Sequence, residues 1–380
     1  MGLQQSMNST ASMDSGRNII CSGCRQRWVV KASNKSAAIV CPSCRINILE
    51  FPNEELQANQ QQQGLRSRIR NFGHHMKSKM HQGTIIPHNP SLNHESSHPN
   101  PPRTCKRAVL CGITYNNWKY KLKGTINDVR NMRELLITRF GYPRECIRVL
   151  TEDETDPRFF PTRKNIEDSL RWLVNDCRSG DSLMFFYSGH GLRQPDLNND
   201  EDDGFDETIC PVDFLTSGMI LDDDLNALIV RPLKPGVTLH AVVDACHSGT
   251  ILDLSHVYFS REKKWKENFP PPGIDKHTSG GLAISISACL DNQAAVDTSA
   301  FNGKMNGAMT YLLAEVLKKF PGPTYGDLFD LIHETFDDIN QASCLANSRI
   351  IRRIFNNRFT QTPLLSSSHK FDVYQKHLFL

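Results

Sequence analysis

Between residues 106 and 188 the chain alternates between two hydrophobic periods, and this alternation restricts the fold more than any other feature. KRAVLCGITY (106–115) is an apolar run with a turn behind it. In TINDVRNMRELLITRFG, Val129, Met132, Leu135, Leu136 and Phe140 recur at helical spacing, and Gly141 is a stop signal. CIRVLTE (146–152) reads as a strand, and TRKNIEDSLRWLVNDCRSGD as an amphipathic helix capped by Thr162. LMFFYSG is a third strand. This order predicts an α/β fold with a mostly parallel sheet and helices on both faces. A strand GLAISISA (281–288) follows later, then helices around 307–320 and YGDLFDLIHETF, and an edge strand before Phe371. Ligands in open α/β sheets sit beyond the carboxyl ends of the strands.

Two such ends carry reactive side chains. LMFFYSGHG (183–191) delivers His190 and LHAVVDACHSG (239–249) delivers Cys246, 56 positions later. A thiol and an imidazole at neighbouring strand ends are the minimum for a cysteine nucleophile and its base. The turn after Cys246 would expose the sulfur, and the N–H groups of Cys246 and Gly191 could form an oxyanion hole. His190 would protonate the departing amine. Alone, a cysteine is more often a small buried hydrophobe and a strand-end histidine an ordinary surface residue. Together, in glycine-containing turns and in this order, they favour catalysis.

YSGHG, DACHSGT, KGTINDVRNM and DETICPVD closely resemble the metacaspases, cysteine peptidases related to caspases. The likeness covers about residues 105–380. The layout is similar to a plant type I member: a zinc-finger prodomain precedes the body, and only about thirty residues separate Asp253 from Ala283. The resemblance implies a caspase-like three-layer α/β/α sandwich and an acidic pocket for the residue before the cut. The matching positions are Asp128 and Asp244, with Asp291 a third candidate on the same rim. Such carboxylates pair with a guanidinium or ammonium, so the cut is expected after Arg or Lys and not after Asp. The resemblance also implies calcium, with Asp206, Asp222, Asp223 and Asp253 at the ligand positions. Hard oxygen donors in NNDEDDGFDETICPVD and LDDDL suit that ion, although no EF-hand loop is present. Charge runs are otherwise usually solvated surface. The family implies roles in programmed cell death, stress or defence, and a monomer, unlike dimeric caspases.

The N-terminal part has different chemistry. CSGC (21–24) and CPSC (41–44) stand sixteen residues apart, which fits a tetrahedral zinc site with Cys21, Cys24, Cys41 and Cys44 as thiolate ligands. It resembles the lesion-simulating-disease type of finger but reads Trp28-Val29-Val30 where that pattern differs. The expected organisation is a disordered 1–18, a finger prodomain at 19–50 and a Gln/His/Pro-rich linker at 51–104. The peptidase domain is 105–380: a part with His and Cys (105–254), a cleavable loop (255–280) and a small-subunit-like part (281–380). Six linker histidines, His74, His75, His81, His88, His94 and His98, read as compositional.

Residues 1–104 hold twelve Lys and Arg against five Asp and Glu, so the tail is basic although the whole chain is only +3. A basic tail can suggest nucleic acid, but little beyond Trp28 and a few arginines supports that here, so nucleic acid is not the expected partner. The first sixteen residues are polar and match no secretory leader. No apolar run nears the ~20 residues that cross a bilayer. With two CxxC pairs and scattered cysteines, a reducing cytosolic or nuclear compartment is expected. Partners would be protein substrates with Arg or Lys at the cut, and regulatory proteins on the finger. An enzyme of this specificity would also meet its own Arg66, Arg68, Arg70, Lys77 and Lys79, and the stretch REKKWK at 261–266. The alternative from another class is a non-proteolytic zinc-finger scaffold or regulator of cell death; retention of both His190 and Cys246 weighs against it.

Overall fold

The computed structural model describes the strand segments 17–20, 27–30, 39–40 and 47–49 and, in the body, residues 105–196, 201, 204–269, 275–290, 297–298, 305–320, 322–345 and 362–380. The chain divides into two units, Met1–Gln60 and Gln61–Leu380.

The body begins with β1 (Lys106–Gly112), α1 (Thr125–Phe140), β2 (Ile147–Thr151), α2 (Arg163–Val174) and β3 (Ser182–Ser188). A smaller antiparallel ribbon follows, made of β4 (Gly191–Pro195), β5 (Phe205–Ile209) and β6 (Ile220–Leu221). Then come β7 (Thr238–Asp244), β8 (His256–Phe259), β9 (Lys264–Glu267), β10 (Leu282–Ser287), α3 (Ala308–Lys319), α4 (Tyr325–Leu345) and β11 (Leu364–Ser367). The main sheet has eight strands in the order β9-β8-β11-β10-β7-β3-β1-β2. From β2 to β10 all neighbours are parallel.

Side chains alternate between two hydrophobic layers, as strands covered on both faces require. Ala108, Leu110, Met184 and Phe186 join one layer with Val129, Met132 and Leu136 of α1, Leu313 of α3 and Leu328 of α4. Val109, Cys111, Phe185 and Tyr187 join the other with Ile166, Leu170 and Leu173 of α2 and with Leu225 and Ile229. Each fully buried Leu or Phe contributes about 1.5–3 kcal/mol relative to exposure, and together they fix which way every strand faces. The expected helix signals act as read: the Thr162 side chain accepts from the Asn165 N–H at 3.3 Å, and Gly141 closes α1 at φ 67.

Three sequence readings differ from the structure. The strand before Phe371 was expected at an edge, but β11 lies between β10 and β8, antiparallel to both. Its residues Leu364, Leu365, Ser366 and Ser367 are all buried, and the Ser367 hydroxyl donates to the Ala283 carbonyl at 3.2 Å. Serines that hydrogen-bond internally look polar in a sequence yet sit in a core. The edge is β9, rich in lysine as exposed edges are. Second, the stretch 255–280, read as a loop, contains the β8–β9 hairpin. Third, the first strand starts at Arg17, inside the stretch expected to be disordered.

Candidate active site

Strands β3 and β7 are parallel neighbours, with Ser188 paired to Asp244. His190 and Cys246 each lie two residues further on, so both leave the sheet at the same level and on the same rim. The Gly189 N–H donates to the Asp244 carbonyl at 3.4 Å, which ties the two turns together. A Cβ on Gly191 would overlap the Cys246 carbonyl oxygen and come within 3.2 Å of the Thr208 carbonyl oxygen. Only glycine allows the turns to approach this closely.

The Nε2 atom of His190 lies 2.6 Å from the carbonyl oxygen of Tyr120. A carbonyl can only accept, so Nε2 carries the ring proton and Nδ1 is the nitrogen able to act as base. The ring is flanked by Tyr115, with centroids 4.5 Å apart, and by the edge-on Trp118 at 5.2 Å. Cys246 is partly exposed, whereas Cys111, Cys210 and Cys289 are buried. Burial pushes the thiols of Cys210 and Cys289 up to about 12 and raises that of Cys111 further. Such thiols hold their protons and do not attack. Cys105 and Cys146 are also partly exposed, but they precede β1 and β2, at the amino ends of those strands. Among the described residues, Cys246 is thus the accessible thiol on the carboxyl rim.

Asp128 and Asp244 come together at Gly307, the residue that leads into α3. Asp128 is fully buried in the first turn of α1. Both of its carboxylate oxygens accept from the Gly307 N–H at 3.0 Å, and Oδ2 accepts from the Ser188 hydroxyl at 3.0 Å. Asp244 Oδ2 accepts from the Thr310 N–H at 3.0 Å and from its hydroxyl at 2.6 Å. A Cβ on Gly307 would lie 2.7 Å from Asp244 Cγ and 3.1 Å from Asp128 Oδ2. The two carboxylates also satisfy N–H groups that the first turn of α3 would otherwise leave unpaired. Asp291 lies outside the described residues.

A second acidic group forms from Glu201, Asp222 and Asp253. Their ligand-capable oxygens lie within 4.8 Å of one another. Asp223, from the expected set, reaches the Lys276 ammonium at 3.2 Å. That ammonium also pairs with Glu201 at 3.1 Å and with Asp253 at 3.0 Å. Asp206 does not join the group; its Oδ2 accepts from Gln194 Nε2 at 3.2 Å, across the β4–β5 pair. Desolvation raises the carboxyls of Asp222 and Asp253 above their ordinary range, and their neighbouring acids add to this.

Residues 106–255 match the family model described as the metacaspase peptidase C14 domain. The chain is 44% identical over 289 residues to Metacaspase-1 of Arabidopsis thaliana, covering 72% of this chain and 78% of that protein. It is 48% identical over 249 residues to Metacaspase-2 of the same plant, covering 63% and 59% of the two chains. The chain belongs to the metacaspases. It is therefore a cysteine endopeptidase by family, with protein substrates. Caspase-1 from Spodoptera frugiperda aligns over 76% of this chain and 96% of its own at 11% identity, with a TM-score of 0.39.

For this metacaspase, reading the sequence missed Tyr120, whose contribution is a main-chain carbonyl, and Ser188, Gly307 and Thr310, which fix the acid pair. It also missed Glu201 and Lys276. The signals were weak: Glu201 lies in the same acidic run as Asp206, and Lys276 is one lysine among many. The zinc ligands Cys21, Cys24, Cys41 and Cys44 lie outside the described residues. The strands on either side of each CxxC are paired, Arg17–Ile20 with Arg27–Val30 and Ile39–Val40 with Asn47–Leu49. Among the described residues no helix is long and apolar enough to cross a membrane.

Proposed function

We propose that this metacaspase is a calcium-dependent endopeptidase that cleaves after Arg or Lys and processes itself. The observation that carries the specificity is the meeting of two buried carboxylates, Asp128 and Asp244, at Gly307. Asp244 lies two residues before Cys246, and Asp128 accepts from Ser188, two residues before His190. A guanidinium entering beside them meets fixed negative charge in a water-poor setting, where Arg gains from paired N–H donors.

The chemistry then follows from the rim. His190 Nδ1 takes the thiol proton, and the Cys246 sulfur attacks the scissile carbonyl carbon. The N–H groups of Gly191 and Cys246 hold the oxyanion. His190 returns the proton to the departing amine, leaving a thioester on Cys246. A water deprotonated by His190 attacks that thioester, releasing the acid product and the thiol.

The acidic group fits a divalent cation. Its donors are hard oxygens, Asp222 and Asp253 are buried, and Asp253 Oδ1 has no hydrogen-bond partner. Burial penalises their ionised forms, so a cation is needed to keep them charged. Glu201, Asp222 and Asp253 would hold it with Asp223 in reach, and it would supply the positive charge that Lys276 now provides. Self-cleavage would use the turn of the β8–β9 hairpin, where Arg261, Glu262, Lys263 and Lys264 are all exposed, or the basic residues of the linker. The finger is proposed to bind one Zn2+ through Cys21, Cys24, Cys41 and Cys44 and to recruit regulatory partners. Programmed cell death, stress or defence is the proposed setting, in a reducing cytosolic or nuclear compartment.

The test is turnover of fluorogenic peptides ending in Arg, Lys or Asp, with and without millimolar calcium, beside Cys246→Ala. Calcium-dependent Arg/Lys cleavage lost in the variant is expected. A preference for Asp would overturn the pocket reading. Failure to cleave any peptide would favour the scaffold alternative. Zinc content near one per chain, dropping in Cys21→Ser, checks the finger.

A further inference from the structure

Beneath His190 two phenols meet. Tyr115, just beyond β1, and Tyr187, in β3, are both buried, with hydroxyl oxygens 3.1 Å apart. Each is shared between the same two peptide units. The His190 N–H donates to the Tyr115 oxygen at 2.9 Å, and that phenol donates to the Cys210 carbonyl at 2.6 Å. The Cys210 N–H donates to the Tyr187 oxygen at 3.2 Å, and that phenol donates to the His190 carbonyl at 2.9 Å. These bonds close into a ring running His190, Tyr115, Cys210, Tyr187 and back to His190, and the Tyr187 hydroxyl also lies 3.1 Å from the Cys210 carbonyl oxygen. A direct bond from the Cys210 N–H to the His190 carbonyl, at 3.1 Å, lies inside this ring.

Burial raises both phenols far above their ordinary range, so they remain protonated donors around neutral pH. A hydrophobic side chain would fill the same volume but would remove the phenol bonds to the His190 N–H and the Cys210 carbonyl, while the Cys210 N–H and the His190 carbonyl would keep each other. Gly189 fits the arrangement, because a Cβ there would come within 2.5 Å of the Tyr187 hydroxyl and 3.0 Å of that of Tyr115. The imidazole is fixed at three points: its peptide by the phenol ring, its face by Tyr115, and its Nε2 by the Tyr120 carbonyl.

We infer that Tyr115 and Tyr187 are positioning residues for the cysteine-peptidase reaction, holding the main chain of His190 so that its imidazole stays in register with Cys246. This rests on the reading of His190 and Cys246 as the catalytic pair. An ångström of drift in a catalytic group costs on the order of 100-fold in rate, so the hydroxyls matter for catalysis even where packing survives their loss.

Tyr115→Phe, Tyr187→Phe and the double variant are the probes, each measured against the wild-type chain for thermal melting, for kcat and KM on one Arg peptide, and for the rate of Cys246 alkylation by iodoacetamide from pH 5 to 10. A thiolate held by a nearby imidazolium reacts at low pH, whereas an unassisted thiol reacts as its pKa near ~8.5 is passed. Each single variant is expected to lose roughly 10- to 100-fold in kcat with KM within about twofold, and to move its alkylation profile toward that of His190→Ala. The double variant should lose less than the product of the single losses, because one ring is being broken. A merely structural role would lower melting temperature and leave the alkylation profile of the folded protein in place; that result, or an unchanged kcat, overturns the inference. If His190→Ala itself leaves the profile unmoved, the thiol–imidazole pairing fails first and takes this inference with it.

Discussion

Replacing Asp244 by Asn removes one negative charge from the pocket while keeping its size and one acceptor oxygen. Asp244 Oδ2 accepts two bonds from Thr310 at 3.0 and 2.6 Å, and the amide oxygen of Asn can accept both. α3 should therefore stay anchored, and melting should shift by no more than a few degrees, the equivalent of about 1 kcal/mol. A charge-assisted hydrogen bond to a substrate guanidinium is worth about 1.5–3 kcal/mol. Its loss lowers kcat/KM for an Arg peptide by roughly 10- to 150-fold. A citrulline peptide of the same shape carries no charge and should change by less than about threefold. The assay is kcat/KM for both peptides with both proteins at saturating calcium. The Arg-to-citrulline ratio should collapse in Asp244→Asn. Equal losses on the two peptides would mean that Asp244 acts by holding α3 and not by reading charge, and the pocket reading would fail.

Other outcomes follow from the same geometry. Gly191→Ala places a methyl on main-chain atoms of Cys246 and Thr208 that cannot swing away, so activity should drop about 100-fold with folding retained by far-UV circular dichroism; activity near that of wild type would refute the close approach of the turns. His240 is buried, and desolvation lowers its pKa from 6.5 to about 4. The folded state therefore refuses a proton that the unfolded chain accepts. The associated stability is complete above pH 6.5 and declines by about 3 kcal/mol as pH falls to about 4. His333 and His256 shift in the same direction, whereas the raised carboxyls of Asp222 and Asp253 act in the opposite sense over this window. The His240 share is therefore read by difference: a His240→Gln variant whose melting has the same pH dependence as the wild type would contradict it. Lys276→Met removes the ammonium that shares Glu201, Asp223 and Asp253, and calcium affinity by calorimetry should rise at least about tenfold, or 1.4 kcal/mol. Unchanged affinity would mean that the ion binds elsewhere.

The alternation of periods in 106–188, the two glycine turns and the His-then-Cys order were enough to read a covered parallel sheet with a thiol and an imidazole on one rim. Those are local patterns, written in side chains close together along the chain. The position of β11 was not legible, because Ser366 and Ser367 look solvent-facing until their internal bonds are seen. The motif likeness pointed to Asp128 and Asp244 as candidate carboxylates. That Gly307 and Thr310 close on them from about sixty residues beyond Asp244 was fixed by where α3 packs. The same holds for the phenol ring, whose members Tyr115, Tyr187, His190 and Cys210 come from three separate stretches of chain. Nearest-neighbour chemistry sets periodicity, caps and turns, so the sequence alone determined the elements of 106–188 and the reacting groups. Distances between groups far apart in the chain depend on how layers pack, so the tertiary structure alone decided which carboxylates meet, which carbonyl holds the imidazole and which lysine sits among the acids.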